Sequence, residues 1–170
     1  MKLIVEIREK DIGPSREQLP DEAHINYRES AKVVLFDQDD NIALVYYPPI
    51  EGFFGGYYLP GGGLEEGETI LETLHREALE ETGCKIKEIG EIGFVIEYMK
   101  DKLLKQKVFA FTARVDGEKG EQQLTKSEQK RGLEIVWKPL GEAIKLVEAN
   151  QYVDFAKFRA IMILGLIKKI

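Results

Sequence analysis

Glu77, Glu80 and Glu81 stand at positions i, i+3 and i+4 of one stretch. On a helix those spacings put all three side chains on a single face, because residues three and four apart are surface neighbours. Three carboxylates within one turn repel. At ~5.5 Å and an effective dielectric near 20, each pair costs roughly 3 kcal/mol before screening. Arg76, four residues before Glu80, offsets part of this, but one cation does not balance three anions. A solvated face is the ordinary outcome for a run of glutamates. A face that meets the protein has two escapes: one carboxyl keeps its proton, or a divalent cation sits among them. Oxygen donors of this kind suit Mg²⁺ or Mn²⁺, and no Cys/His cluster suggests zinc. Just upstream, Leu59-Pro60-Gly61-Gly62-Gly63 supplies a rigid turn and three glycines. Such a turn lets backbone carbonyls and amides come close to an ion or a phosphate.

The elements that must hold these groups are legible in part. Thr69-Ile70-Leu71-Glu72 fits a capping box, and Gly83 stands where a left-handed residue would close the same helix. Within that helix Leu71, Leu74, Ala78 and Thr82 form the expected core-facing stripe, with the carboxylates alongside it. Leu3, Val5 and Ile7 alternate as in a strand, and Gly13 to Asn26 reads as a loop or arm. Ala31 to Phe36 and Ile42 to Tyr47 read as a hairpin with a polar turn, and Ile92 to Tyr98 and Val108 to Val115 as two further strands. Glu134 to Trp137 is a short strand, Pro139 suits the first turn of a helix running to about Val147, and Asp154 to Ile167 is an apolar packing helix. Mixed elements with hairpin-like neighbours predict an α/β sandwich around a mixed β-sheet, in a single domain spanning residues 1–170 whose first 26 residues form a strand and arm.

Gly62, five residues, Glu68, seven residues, then Arg76-Glu77-Ala78-Leu79-Glu80-Glu81-Thr82-Gly83-Cys84 is a run that resembles the Nudix box of the MutT-like Nudix hydrolases. Every fixed Gly, Glu and Arg of that motif is present, while Ala78 and Cys84 fill its two aliphatic slots. The resemblance implies a Nudix-type α/β/α sandwich and a pyrophosphohydrolase that cleaves a nucleoside diphosphate linked to another group, with Mg²⁺ or Mn²⁺. It implies that Glu80 and Glu81 ligate metal, with the Gly62 carbonyl as a further ligand. Glu77 is then either another ligand or the base that activates water. Arg76 would orient the glutamates, and Glu68 would lock the loop to the helix. In other members the base comes from a later loop, for which Glu128, in Leu124 to Lys130, is the candidate. A nucleoside triphosphate is the default substrate, and a silent nucleotide-binding sensor is the alternative.

Other signals carry less. Asp37-x-Asp39-x-Asn41 opens like a calcium loop, but Ile42 and Pro48 replace its required Gly and Glu, so it is a turn. Neither a dinucleotide fingerprint nor a P-loop is present. Among aromatics that could stack on a base (Tyr47, Phe53, Phe54, Tyr57, Tyr58, Tyr98), Phe53, Phe54 and Tyr57 flank the glycine loop and are the substrate-binding candidates. Lys100, Lys102, Lys105 and Lys107 either attract phosphate or solubilise a hairpin turn.

Composition bounds the partners. The 170 residues carry 24 basic and 30 acidic side chains, 44% apolar and 32% charged, as in an ordinary globular domain. Cys84, the one cysteine, excludes an internal disulfide and fits a reducing, cytoplasmic setting. The longest apolar stretch is too short for the ~20 residues of a membrane span, and no signal pattern opens the chain. The acidic balance argues against a stable nucleic-acid complex held by phosphate neutralisation. Yet seven of the glutamates and one arginine lie between Gly62 and Gly83, leaving the rest of the chain neutral. Divalent cations there would reverse the local sign and attract phosphate. The apolar last helix could also pack against a second subunit as a homodimer.

Overall fold

The computed structural model describes residues 1–13, 25–52, 54–99, 102–152 and 154–168. In chain order the elements are β1 (Leu3–Arg8), α1 (Glu9–Ile12), β2 (Asn26–Phe36), β3 (Asn41–Tyr47), β4 (Gly56–Tyr58), α2 (Ile70–Thr82), β5 (Ile86–Met99), β6 (Leu104–Val115), α3 (Lys126–Arg131), β7 (Glu134–Pro139), α4 (Leu140–Glu148) and α5 (Phe155–Ile167). The strands form one mixed sheet in the order β1-β5-β6-β2-β3-β4, with β7 on the other side of β3. β1 runs parallel to β5 and β2 parallel to β6, while β5 and β6 form an antiparallel pair.

Strand alternation divides the core in two. Ala31, Val33 and Leu35 of β2 face α2, packing with Leu74, Ala78, Phe111 and Cys84. Val34, one residue out of phase, points the other way, with Ala110, Leu44 and the α4 and α5 residues Ala143, Val147, Ala160, Ile163 and Leu164. The result is the expected α/β/α sandwich. One apolar side of α5 packs on this chain's own sheet. Leu74, with no exposed surface, ties α2 to that core, so Leu74→Ala should cost about 2–5 kcal/mol in a denaturant titration.

α2 begins and ends as its sequence predicts. Thr69 Oγ1 accepts the Glu72 N–H, the Glu72 carboxylate accepts the Thr69 N–H at 2.7 Å, and Gly83 closes the helix at φ 71°. Its buried face is shifted from the expected stripe, however. Leu71 is 46% exposed while its neighbour Ile70 packs against the core, and Thr73, Glu77 and Glu81 are buried together with Leu74, Ala78 and Thr82. Glu77 and Glu81 therefore lie within the buried arc, with Glu80 beside it.

The β2–β3 hairpin also differs from expectation. The two strands pair only at Phe36 and Ile42, beside a turn in which Asp37 accepts the Asp39 and Asn41 N–H groups. Beyond that point β3 diverges, and the glycine turn takes its place along β2. Ala31 N–H donates to the Gly62 carbonyl, Val33 N–H to that of Pro60, and Leu64 N–H to that of Glu29, each at 3.0 Å. Edge groups of β2 that would otherwise lack partners thus fix the loop. Two smaller corrections concern the later elements. Leu124 to Lys130, read as a loop, contains helix α3, and Pro139 precedes α4 as its cap instead of entering the first turn.

Candidate active site

Arg76 is the hub of the glutamate ridge. Its Nε and Nη2 donate to Glu68 Oε1 and Oε2 at 2.7 and 3.0 Å, a two-pronged grip, and Nη2 also reaches the Gly63 carbonyl at 3.1 Å. Nη1 is shared between Glu77 Oε1 at 2.9 Å and Glu80 Oε2 at 3.2 Å. Glu68 further accepts the Glu65 N–H and the Thr73 hydroxyl, so these bonds lace loop and helix together. The Arg76 guanidinium, with these donors, holds the Glu68 carboxyl down to about 2.

Glu77 and Glu81 sit deeper. Glu81 Oε2 accepts the Gly61 N–H at 2.6 Å. Burial drives the Glu81 carboxyl up to about 7 against the pull of Lys32 and the Gly61 amide, and burial raises Glu77 against Arg76. The glycine turn lies directly on this pair: a Cβ on Gly62 would fall 2.0 Å from Glu77 Oε1. Only glycine permits that approach.

Lys32 stands opposite. Its ammonium donates to the carbonyls of Leu59, at 3.1 Å, and Gly61, tying the turn to β2 from beneath. Burial lowers its pKa, while the charges of Glu81 and Glu77 resist that change.

These groups open into a cleft of about 430 Å³ between the sheet, α2, α3 and the start of α5. Glu77, Glu81, Gly61, Gly62 and Gly63 line one end, and Glu128 joins them from α3. Glu128 is part of that helix's own capping box, its Oε2 accepting the Thr125 N–H at 2.7 Å. Arg28, Lys32, Arg131 and Arg159 supply cations, and Asp154 a further carboxylate. Neither Phe54 nor Tyr57 lines the cleft. Phe54 is exposed and stacks on Tyr152 at 6.2 Å; the Tyr57 ring lies against that of Tyr46 at 4.7 Å, tilted by 31°. Strand alternation turns the neighbouring Tyr58 inward instead, with Tyr47. Burial raises the pKa of both phenols, Tyr47 to about 12, and Arg131 lies 4.3 Å over the Tyr47 ring. Phe53 and Lys100 lie outside the described residues. Lys105 and Lys107 are not cleft residues; they lie over the rings of Tyr27, Tyr98, Phe94 and Phe109.

The donor set fits a hard divalent cation in kind: carboxylate oxygens, desolvated and short of positive charge, beside a backbone turn. As the side chains stand, no three acidic, histidine or cysteine groups among the described residues converge on one point. Arg76 takes Glu77 Oε1 and Glu80 Oε2 and the Gly61 amide takes Glu81 Oε2, which leaves the second oxygen of each carboxylate to offer an ion. Lys32, Arg159 and its partner Glu97 were missed at the sequence level. Each is a charge inside an apolar run (Ala31 to Phe36, Phe94 to Met99, Phe155 to Ile167), and that was the available signal.

Comparison with known proteins adds three findings. The family model described as NUDIX domain matches residues 26–158. RNA pyrophosphohydrolase from Helicobacter pylori strain G27 is 34% identical over 98 residues, 56% of this chain and 61% of the relative; that of Sulfurovum sp. is 45% identical over 56 residues, 32% of this chain and 36% of the relative. The chain thus spans less than two thirds of the length of either. Among solved structures, a NUDIX hydrolase from Nitrosomonas europaea superposes with a TM-score of 0.66 at 22% identity, covering 85% of this chain and 90% of that one. A structure described as MutT, from work on Aliivibrio salmonicida and Vibrio cholerae, gives 0.58 at 17% identity, covering 85% and 100%. At such identities the likeness is one of fold.

Proposed function

The chain belongs to the NUDIX domain family, and from that premise we propose that it is a pyrophosphohydrolase acting on a 5′-polyphosphate with Mg²⁺ or Mn²⁺. The observation that carries this reading is the pairing of two buried glutamates, Glu77 and Glu81, with a cationic wall across one cleft. Bare carboxylates repel phosphate, so an acidic floor inside a phosphate-attracting cleft makes sense when a cation sits between them. Glu81, Glu80, the Gly62 carbonyl and Glu77 would hold it. When bound, such an ion would neutralise phosphate charge and lower the pKa of a coordinated water.

The chain's own residues do the remainder. Arg76 keeps Glu77 and Glu80 within reach of one another, and Glu68 anchors Arg76. Lys32 and the Glu81–Gly61 hydrogen bond hold the turn against the helix. Water attacks one phosphorus, the bridging P–O bond breaks, and the water proton passes to a carboxylate: Glu128 or, where it is not a ligand to the ion, Glu77, both of which line the cleft. The leaving group departs as phosphate or pyrophosphate.

A free nucleoside triphosphate is the simplest substrate. The two relatives are named RNA pyrophosphohydrolase, which adds a second, a polyphosphate carried on RNA. A silent nucleotide sensor would have no need of Glu77, Glu80, Glu81 and Arg76 together. The deciding measurement is release of phosphate, pyrophosphate or monophosphate from a panel of nucleotides and a 5′-triphosphate oligoribonucleotide with Mg²⁺. Equal inactivity of the wild type and Glu81→Gln on every member of the panel would end the enzyme reading.

A further inference from the structure

Arg159 reaches the cleft from the beginning of α5, with Ala156 and Ala160 on the same side. Arg159 is itself buried, at 8% exposure, beside these small neighbours. Behind it lies Glu97 of β5, fully buried, whose Oε1 accepts from Arg159 Nη1. Glu97 is flanked along its strand by buried Val95 and paired in register with buried Ile7. An ion pair in such surroundings is a poor stabiliser, since desolvating two charges offsets most of their attraction and an apolar pair of similar volume does as well or better.

The geometry of the pair indicates what else it does. Arginine and carboxylate can join through two parallel hydrogen bonds, using both oxygens. Here the bond is single: Glu97 Oε2 is the one buried side-chain oxygen or nitrogen without a partner among the described residues. The guanidinium carries five N–H donors, so most of them remain for an anion in the cleft. Lys32 differs, because its ammonium is committed to the carbonyls of Leu59 and Gly61. Glu97 and Lys32 are nevertheless electrostatic neighbours, as are Arg159 and Lys32, so this cation lies within reach of the glutamate end.

We propose that Arg159, positioned by Glu97, supplies a phosphate site separate from the Glu77–Glu81 end, so that the cleft favours a triphosphate over a diphosphate. This rests on the polyphosphate reading above and names the feature within it that sets the substrate class. A 5′-triphosphate is the shared chemistry, whether carried by a free nucleotide or by an RNA end. Glu97 acts through Arg159 as a positioning residue.

The test is equilibrium binding by calorimetry, with methylene-bridged, hydrolysis-resistant di- and triphosphates of one nucleoside, and with 5′-di- and 5′-triphosphate oligoribonucleotides. The wild type should favour triphosphate over diphosphate by about tenfold to a hundredfold, the worth of one or two charge-assisted hydrogen bonds. Arg159→Gln should erase that ratio while leaving diphosphate binding within about twofold. Glu97→Gln should reduce the ratio, yet change nothing further when Arg159 is already Gln. Should the single variants fail to fold, the double variant Glu97→Leu/Arg159→Met decides the matter, since apolar replacement of a buried ion pair is expected to fold. It should melt no lower than wild type and show no preference. A preference seen with both ligand types, or with only one, supports the assignment and identifies the source. A folded Arg159→Gln or double variant that keeps the wild-type ratio overturns it, as does a wild type with no preference. Because binding is read without turnover, a failure here is distinct from a failure to hydrolyse any polyphosphate.

Discussion

Glu81→Gln is expected to lower turnover by about a thousandfold or more, the scale of losing several kcal/mol of transition-state charge stabilisation. At the same time it should stabilise the metal-free fold at neutral and alkaline pH. The sign follows from where the proton sits. In the unfolded chain this carboxyl titrates near 4.5, and in the folded chain near 7. Between those values the folded state keeps a proton that the unfolded state has lost, so wild-type stability falls as pH rises through the window. Glutamine has no such titration, and its carbonyl can still accept the Gly61 N–H. Above pH 7 the variant should gain up to about 3 kcal/mol. Lys32, which loses an anionic neighbour, reduces that gain. Melting temperatures of both proteins in chelator from pH 4.5 to 8.5 check this. Parallel curves would show that Glu81 is not held in a destabilising burial.

The second large effect is structural. A Cβ on Gly61 would sit 2.1 Å from the Ala31 carbonyl oxygen and 3.0 Å from the Lys32 Cα, at φ +125°. Neither neighbour can move freely, because Ala31 is pinned to the turn by its own hydrogen bond to Gly62. Gly61→Ala should therefore cost about 3 kcal/mol or more, from backbone strain and the expulsion of the turn from β2. Turnover should fall too, even well below the melting point, since Gly61 donates to Glu81 and accepts from Lys32. Gly67 provides the contrast. It has φ +85° but nothing within 4 Å of an added Cβ, so Gly67→Ala should cost only about 1–2 kcal/mol. Denaturant midpoints for the two variants measure the difference, and equal losses would remove the role given to the Gly61–Ala31 contact.

The legible parts of this protein share one property: they depend on residues close together in the chain. The capping box at Thr69 and Glu72, the left-handed Gly83, and the placing of Glu77, Glu80 and Glu81 on one face all follow from helical spacing alone. The alternation in β2, with Ala31, Val33 and Leu35 against Val34, is local in the same sense. The glycine turn beside the carboxylates was readable as a feature, but its attachment was not. It lies along β2 because β3 leaves that strand after a single pair, a matter of how two sheet edges diverge. The placing of the tyrosines escaped local reading for a comparable reason. Tyr57 is near the turn in sequence, but alternation along β4 turns Tyr58 toward the cleft.

By its own spacing, then, the sequence determined the carboxylate helix, its caps, and the kind of ion such oxygens suit. Tertiary structure alone decided what faces them. Lys32 and Arg159 come from β2 and α5, far apart along the chain, and meet at one cleft, with Glu97 of β5 paired to Arg159 behind it. Charges embedded in apolar runs announced that something would have to pair with them, since a buried charge is not left alone. Which charge pairs with which, and which one keeps donors free for a phosphate, depends on strand order and helix docking. No periodicity within a single element encodes those.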